Sequence, residues 1–159
     1  MAIQPRFAQA ILSGNKQVEF RKRRLAADIE TVVIYETVPT QRITGHFTIA
    51  RTVEATPTAL WREFATAGGI AHDEFMRYFT GHERAFGLVV KDTARYQRPI
   101  ALPELSTFPS VPQSFIYLPA AALEEITSRQ PAAAFFTLPS LFGRLLQASG
   151  RVLASVPSR

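Results

Sequence analysis

From Arg42 to Glu54 the chain carries one long alternation. Ile43, Phe47, Ile49 and Val53 share one parity, and Thr44, His46, Thr48 and Thr52 share the other. Successive side chains of a strand point to opposite faces, so such a segment covers a core with one face and keeps polar groups on the other. A strand this long generally bends if it is to stay within a small domain. Gly45, which has no Cβ to obstruct the bend, is the expected place. The strand also needs neighbours. Thr31-Val-Val-Ile-Tyr-Glu36 is an apolar, β-branched run suited to a central strand, and Thr37-Val38-Pro39-Thr40 is the turn that joins the two. Ala85-Phe-Gly-Leu-Val-Val90 reads as a further buried strand. After a proline-rich excursion from Pro99 to Pro112, Gln113–Leu118 reads as a short strand that closes a small barrel.

Short helices flank these strands. Pro5 suits a first helical position, Phe7/Ile11 and Ala8/Leu12 recur at a spacing of four, and Gly14-Asn15 supplies the stop after Ser13. Thr56-Pro57 starts a second helix with Leu60, Trp61 and Phe64 as its apolar stripe, ended by Gly68-Gly69. A third spans His72 to Phe79 with Phe75, Met76 and Phe79 inward. This pair has helix-turn-helix spacing, but His72-Asp73-Glu74 would repel a DNA backbone, and its apolar residues are needed to cover the strands. After Pro119 alanine and leucine dominate. Leu138, Leu141, Phe142, Leu145 and Leu146 mark one helical face, to be packed on the body of the protein or on a partner subunit as a homodimer.

Composition narrows the chemistry. The 159 residues fit one domain, and the net charge of +5 favours anionic partners such as phosphates. The absence of cysteine removes thiol catalysis, disulfides and zinc–thiolate sites. His46, His72 and His82 lack metal-ligand spacing, and nothing in the sequence asks for a metal or another cofactor. The opening Met-Ala-Ile-Gln-Pro-Arg lacks the order of a secretory signal, and no apolar run is long enough to span a bilayer, so a cytoplasmic protein without a membrane partner is expected.

The most unusual chemistry lies in Gly14-Asn15-Lys16-Gln17-Val18-Glu19-Phe20-Arg21, followed by Lys22-Arg23-Arg24. Charges of both signs inside a strand cost desolvation energy unless they pair or meet a ligand. Glu19 and Arg21 share a face, with Gln17 beside them, while Val18 and Phe20 point to the core. Lys16 has the wrong parity, but it follows the Gly14-Asn15 turn and is free to swing its amine round. The result is a Lys–Glu–Arg array on the wall of a cleft, with a guanidinium fork suited to a phosphate or a base edge. The competing reading is a solvated ladder of ion pairs, each contributing about 0.2–1 kcal/mol. Arg23 and Arg24 extend the array as a phosphate-contacting loop. Tyr35 and Tyr117 offer rings to a base, and Gln113 and Ser114 offer polar groups at a rim.

Gly14-x-Lys16-x-x-Glu19-x-Arg21 resembles the signature of the ASCH domain family. Ile3-x-Pro5-x-Phe7-Ala8, Val33-Ile34-Tyr35-x-Thr37-x-Pro39, Gly45-x-Phe47, Pro57-x-x-Leu60-Trp61 and Pro112-Gln113-Ser114-Phe115-x-Tyr117-Leu118 extend the resemblance over residues 3–118. They are similar to the branch described as predicted transcriptional regulators. The resemblance implies an α+β fold: a small PUA-like mixed β-barrel over residues 1–118 with short flanking helices, followed by a C-terminal helical extension over residues 119–159. It implies binding of RNA or a modified nucleotide at Lys16, Glu19, Arg21, Arg23, Arg24, Tyr35, Gln113, Ser114 and Tyr117. Some members are hydrolases, an amidohydrolase acting on acetylated cytidine and a ribonuclease. The amidohydrolase branch places a threonine nucleophile where this chain has Glu19, so that mechanism does not carry over. The alternative function is a hydrolase of a modified nucleoside or RNA working through Lys16 and Glu19.

Overall fold

A computed structural model of the chain describes residues 1–106 and 111–131. Five strands form one mixed sheet in the order β1-β3-β4-β5-β2, where β1 is Ala2–Ile3, β2 Val18–Arg21, β3 Thr31–Glu36, β4 Arg42–Ala55 and β5 Ala85–Ile100. β1 runs parallel to β3, and the other neighbours are antiparallel. The long alternation is β4, as expected, and its pairing slips at the glycine expected to allow a bend and again between Phe47 and Arg51. The register of β4 against β5 slips between Ile43 and Gly45, and that of β3 against β4 between Ile34 and Tyr35. A Cβ at Gly45 would overlap the Ala94 carbonyl oxygen and stand 2.6 Å from Leu12 Cδ2, so its absence lets the helix and β5 close in on β4.

The expected barrel is not closed by strand pairing. Gln113–Leu118 is irregular instead of a closing strand, and β1 and β2 are the two edges of an open sheet. The flanking Pro112 and Pro119 lack the amide donor a ladder needs. Side chain and loop draw the edges together instead. Arg21 Nη2 of β2 donates to the Ala2 carbonyl of β1 at 3.0 Å, and the Ala2 amide donates to the Ser114 carbonyl at 2.8 Å.

Helices α1 (Pro5–Leu12), α2 (Pro57–Phe64), α3 (His72–Tyr78) and α4 (Ala120–Ser128) cover this sheet. Ala8, Ile11 and Leu12 of α1 pack with Ile34, Phe47 and Leu88. Leu60 and Phe64 of α2 and Phe75 of α3 join Phe79, Val18, Phe20 and Ala85 in a second cluster, which uses up the apolar faces of the helix pair. Ile126 of α4 is fully buried with Tyr35, Ile43, Tyr96 and Ile100. Gln130 then exchanges two hydrogen bonds with the Arg98 backbone, accepting from its amide at 3.2 Å and donating to its carbonyl at 3.0 Å. Among the described residues no helix is long and apolar enough to cross a membrane. The apolar stripe of residues 138–146, and the homodimer expected of it, lie outside the described residues.

Candidate functional site

Gly14, at φ +80°, turns the chain out of α1, a conformation glycine adopts without a Cβ clash. The Gly14 amide donates to the Ile11 carbonyl at 3.0 Å and the Lys16 amide to the Ala10 carbonyl at 2.9 Å. Lys16 is thereby fixed before the pleat begins, and its side chain turns to the Glu19 side. Lys16 Nζ lies 3.6 Å from Glu19 Oε2, and Arg21 Nη2 lies 2.8 Å from Glu19 Oε1. Val18 and Phe20 join the core cluster of α2 and α3, with Phe20 also reaching the charged site, whereas Gln17 is exposed.

The three charges are not a solvated ladder. Lys16, Glu19 and Arg21 are only 2%, 6% and 8% exposed. Pairing of such groups has to offset a desolvation cost of several kcal/mol per ion, which makes the trio dependent on its full set of partners. Lys16 Nζ donates to the Gly68 carbonyl and lies 4.8 Å and 5.1 Å from the ring centres of Phe20 and Phe7. A Cβ at Gly68 would stand 2.6 Å from the Phe20 ring, so this glycine admits both the ring and the ammonium. Burial pushes the Lys16 ammonium below its ordinary 10.5, against the pull of Glu19, and Arg21 adds to the lowering. Among the described residues Arg21 Nε is buried without a hydrogen-bond partner.

Lys16, Glu19 and Arg21 line a cavity of about 360 Å³. Phe7, Phe20 and Ile70 give it apolar walls, and Thr37, Glu74, Tyr78 and Gln113 add polar groups. A hollow of this size with few convergent polar groups suits a small planar ligand better than a lone anion. Of the expected site residues, the structure brings together Lys16, Glu19, Arg21 and Gln113. Ser114 contributes its carbonyl to the seam with Ala2 and is not on the cavity wall. Tyr117, 55% exposed, lines a neighbouring groove of about 130 Å³ with Phe115 and Leu25. Arg23 lies over the Phe115 ring at 5.5 Å, and Arg24 is on the surface 3.8 Å from Glu54. Tyr35 is in the core at 4% exposure, away from both hollows. Tyr78 and Phe7 are wall residues that the sequence did not single out. The signal for Tyr78 was a tyrosine out of phase with the inward Phe75 and Phe79 of its helix. Each histidine has a local partner: His46 Nδ1 with Tyr96 Oη at 2.9 Å, His72 with Asp73 and His82 with the Thr80 carbonyl.

A family model described as "Domain of unknown function (DUF365)" matches residues 2–111. The ASCH domain-containing ribonuclease of Zymomonas mobilis is 30% identical over 132 residues, which span 80% of this chain and 88% of that protein. The chain belongs to the ASCH family. The crystal structure of ASCH from Zymomonas mobilis matches this ASCH domain with a TM-score of 0.76 and 27% identity, over 82% of this chain and 94% of the other. A tyrosine-to-phenylalanine variant of that protein gives 0.75. The large ribosomal subunit protein uL22 of Ureaplasma parvum is also similar, 28% identical over 115 residues, and the ASCH domain matches 37% of its length.

Proposed function

We propose that this ASCH domain binds RNA by taking one nucleotide into the cavity beside Arg21. The observation that carries the reading is the buried Lys16–Glu19–Arg21 trio facing a hollow with aromatic walls. Arg21 supplies a fork for a phosphate or a base edge, Glu19 accepts from a donor on the base, and Phe7 and Tyr78 provide faces to stack on. The name of the Zymomonas relative, a ribonuclease, supports RNA as the class of ligand, and the basic net charge agrees with it. Titration of a labelled short RNA tests the site. Arg21→Ala is expected to weaken binding at least about tenfold, since hydrogen bonds to charged groups contribute about 1.5–3 kcal/mol. Because Arg21 also holds β1, Arg21→Lys and a thermal melt separate lost recognition from lost folding. Wild-type affinity in a folded Arg21 variant would rule the reading out.

Cleavage is the second reading, favoured by the pairing of a buried, weakened ammonium with a carboxylate in the same cavity. Glu19 takes the proton of a 2′-hydroxyl, the freed oxygen attacks the adjacent phosphorus, and the 5′-oxygen leaves with a proton from Lys16. Arg21 faces the charge building on the phosphoryl oxygens. The products are a 2′,3′-cyclic phosphate and a 5′-hydroxyl. Cleavage by wild type that stops in a 2′-deoxy substrate and in Glu19→Gln is the expected result. Equal cleavage by Glu19→Gln, or none by wild type at any pH, would remove this reading.

A further inference from the structure

We infer that the RNA engages two subsites: the cavity beside Arg21, and the groove walled by Leu25, Phe115 and Tyr117. This rests on the RNA reading above and adds to it a second base site. The two hollows share one ridge. Met1 lines the groove and Ala2 the cavity, Gln113 lines the cavity and Phe115 the groove, and the bond from the Ala2 amide to the Ser114 carbonyl runs between them. Met1 and Ala2 are adjacent, and only Ser114 separates Gln113 from Phe115, so the step from hollow to hollow is short.

The charge that suits a phosphate backbone sits beside this ridge. Lys22 Nζ lies 4.8 Å from the centre of the Tyr78 ring at the cavity, and the Arg23 guanidinium 5.5 Å from the centre of the Phe115 ring at the groove. Among the described residues neither cation has an acidic partner within ion-pair distance, whereas the next residue, Arg24, has Glu54. One loop thus carries two unneutralised cations between two aromatic-walled hollows. The exposed Tyr117 ring offers a stacking face that accepts any base. A duplex keeps its bases paired and stacked, and only an unpaired strand can splay adjacent bases into separate hollows.

The test is the affinity of the full chain for adenosine monophosphate, a short oligoadenylate and the same oligoadenylate paired with oligouridylate, at one salt concentration. Wild type is expected to bind the single strand more tightly than either the mononucleotide or the duplex. Tyr117→Ala is expected to weaken the oligoadenylate about tenfold, and by more than it weakens the mononucleotide. The Tyr117 hydroxyl also accepts a hydrogen bond from the Ala26 amide at 2.9 Å, so Tyr117→Phe, which keeps the ring, should bind as wild type does. Equal binding of duplex and single strand would overturn the inference, as would Tyr117→Ala with wild-type affinity for the oligoadenylate. A changed sedimentation coefficient in Tyr117→Ala with unchanged RNA affinity would assign the groove to a second copy of the chain and also overturn it. Arg21→Ala distinguishes the levels: if it leaves mononucleotide binding intact, the RNA reading itself fails, and if it alone abolishes binding, only the second subsite fails.

Discussion

Burial of the Lys16 ammonium gives the protein a pH dependence that needs no ligand to observe. Its folded-state pKa lies below 10.5, its value when unfolded, so between the two the unfolded chain holds more protons and stability rises with pH. Lys16→Met leaves Glu19 paired with Arg21 but takes the donor from the Gly68 carbonyl. The melting temperature of wild type is expected to gain on that of Lys16→Met as pH climbs toward 10.5. Melts of both proteins across that range check it, and a difference independent of pH would count against the ammonium as its source. His46 works at the acid end. Burial lowers its pKa from 6.5, so its contribution is fully present above 6.5 and is lost as pH falls through the lowered value. His46→Gln should blunt that acid loss in melts below pH 6.5. The pairing of Glu19 with Arg21 was legible in the sequence, because strand parity alone puts residues two apart on one face. Tyr35 was not legible. It faces the side of β3 opposite Ile34, where Ile126 of α4 and Ile100 cover it in a separate core cluster, and nothing in the local pattern announces that cover.

Two glycines, at the end of α1 and within β4, separate two kinds of constraint. Gly45 is needed for space, because a methyl group there meets the Ala94 carbonyl and Leu12. Gly45→Ala is expected to cost about 1–3 kcal/mol as overpacking. A methyl group on Gly14 would meet nothing within 4 Å, but the residue sits at φ +80°. Gly14→Ala should therefore cost about 1–2 kcal/mol as backbone strain, and Gly14→Asn less. Denaturant unfolding of the variants checks the order, and asparagine rescue at position 45 would contradict it. Among the strands, β3 was readable to the residue because it is uniformly apolar and β-branched. The second half of β5, from Lys91 onward, was not, since its polar residues and Pro99 weaken the strand pattern while β4 supplies its pairing. β1 is two residues long, too short for any periodicity.

At the level of the whole molecule, α4 belongs to the core through Ile126 and Gln130, although the family match ends at residue 111. Ile126→Ala is expected to cost about 2–5 kcal/mol, read from denaturant unfolding, and a change near zero would show that α4 is dispensable to the body. On the RNA reading, the logarithm of the affinity should fall linearly with the logarithm of salt concentration, with a shallower slope once Lys22 and Arg23 are replaced by alanine.

Arg21 holds the Ala2 carbonyl and the Glu19 carboxylate with one guanidinium, at the junction of the sheet's two outer strands. On the function proposed above, structural cohesion and ligand capture fall to a single side chain. A variant selected for altered specificity at this position would arrive with a loosened rim as well, and a compensating change at the amino-terminal strand would be the natural companion mutation.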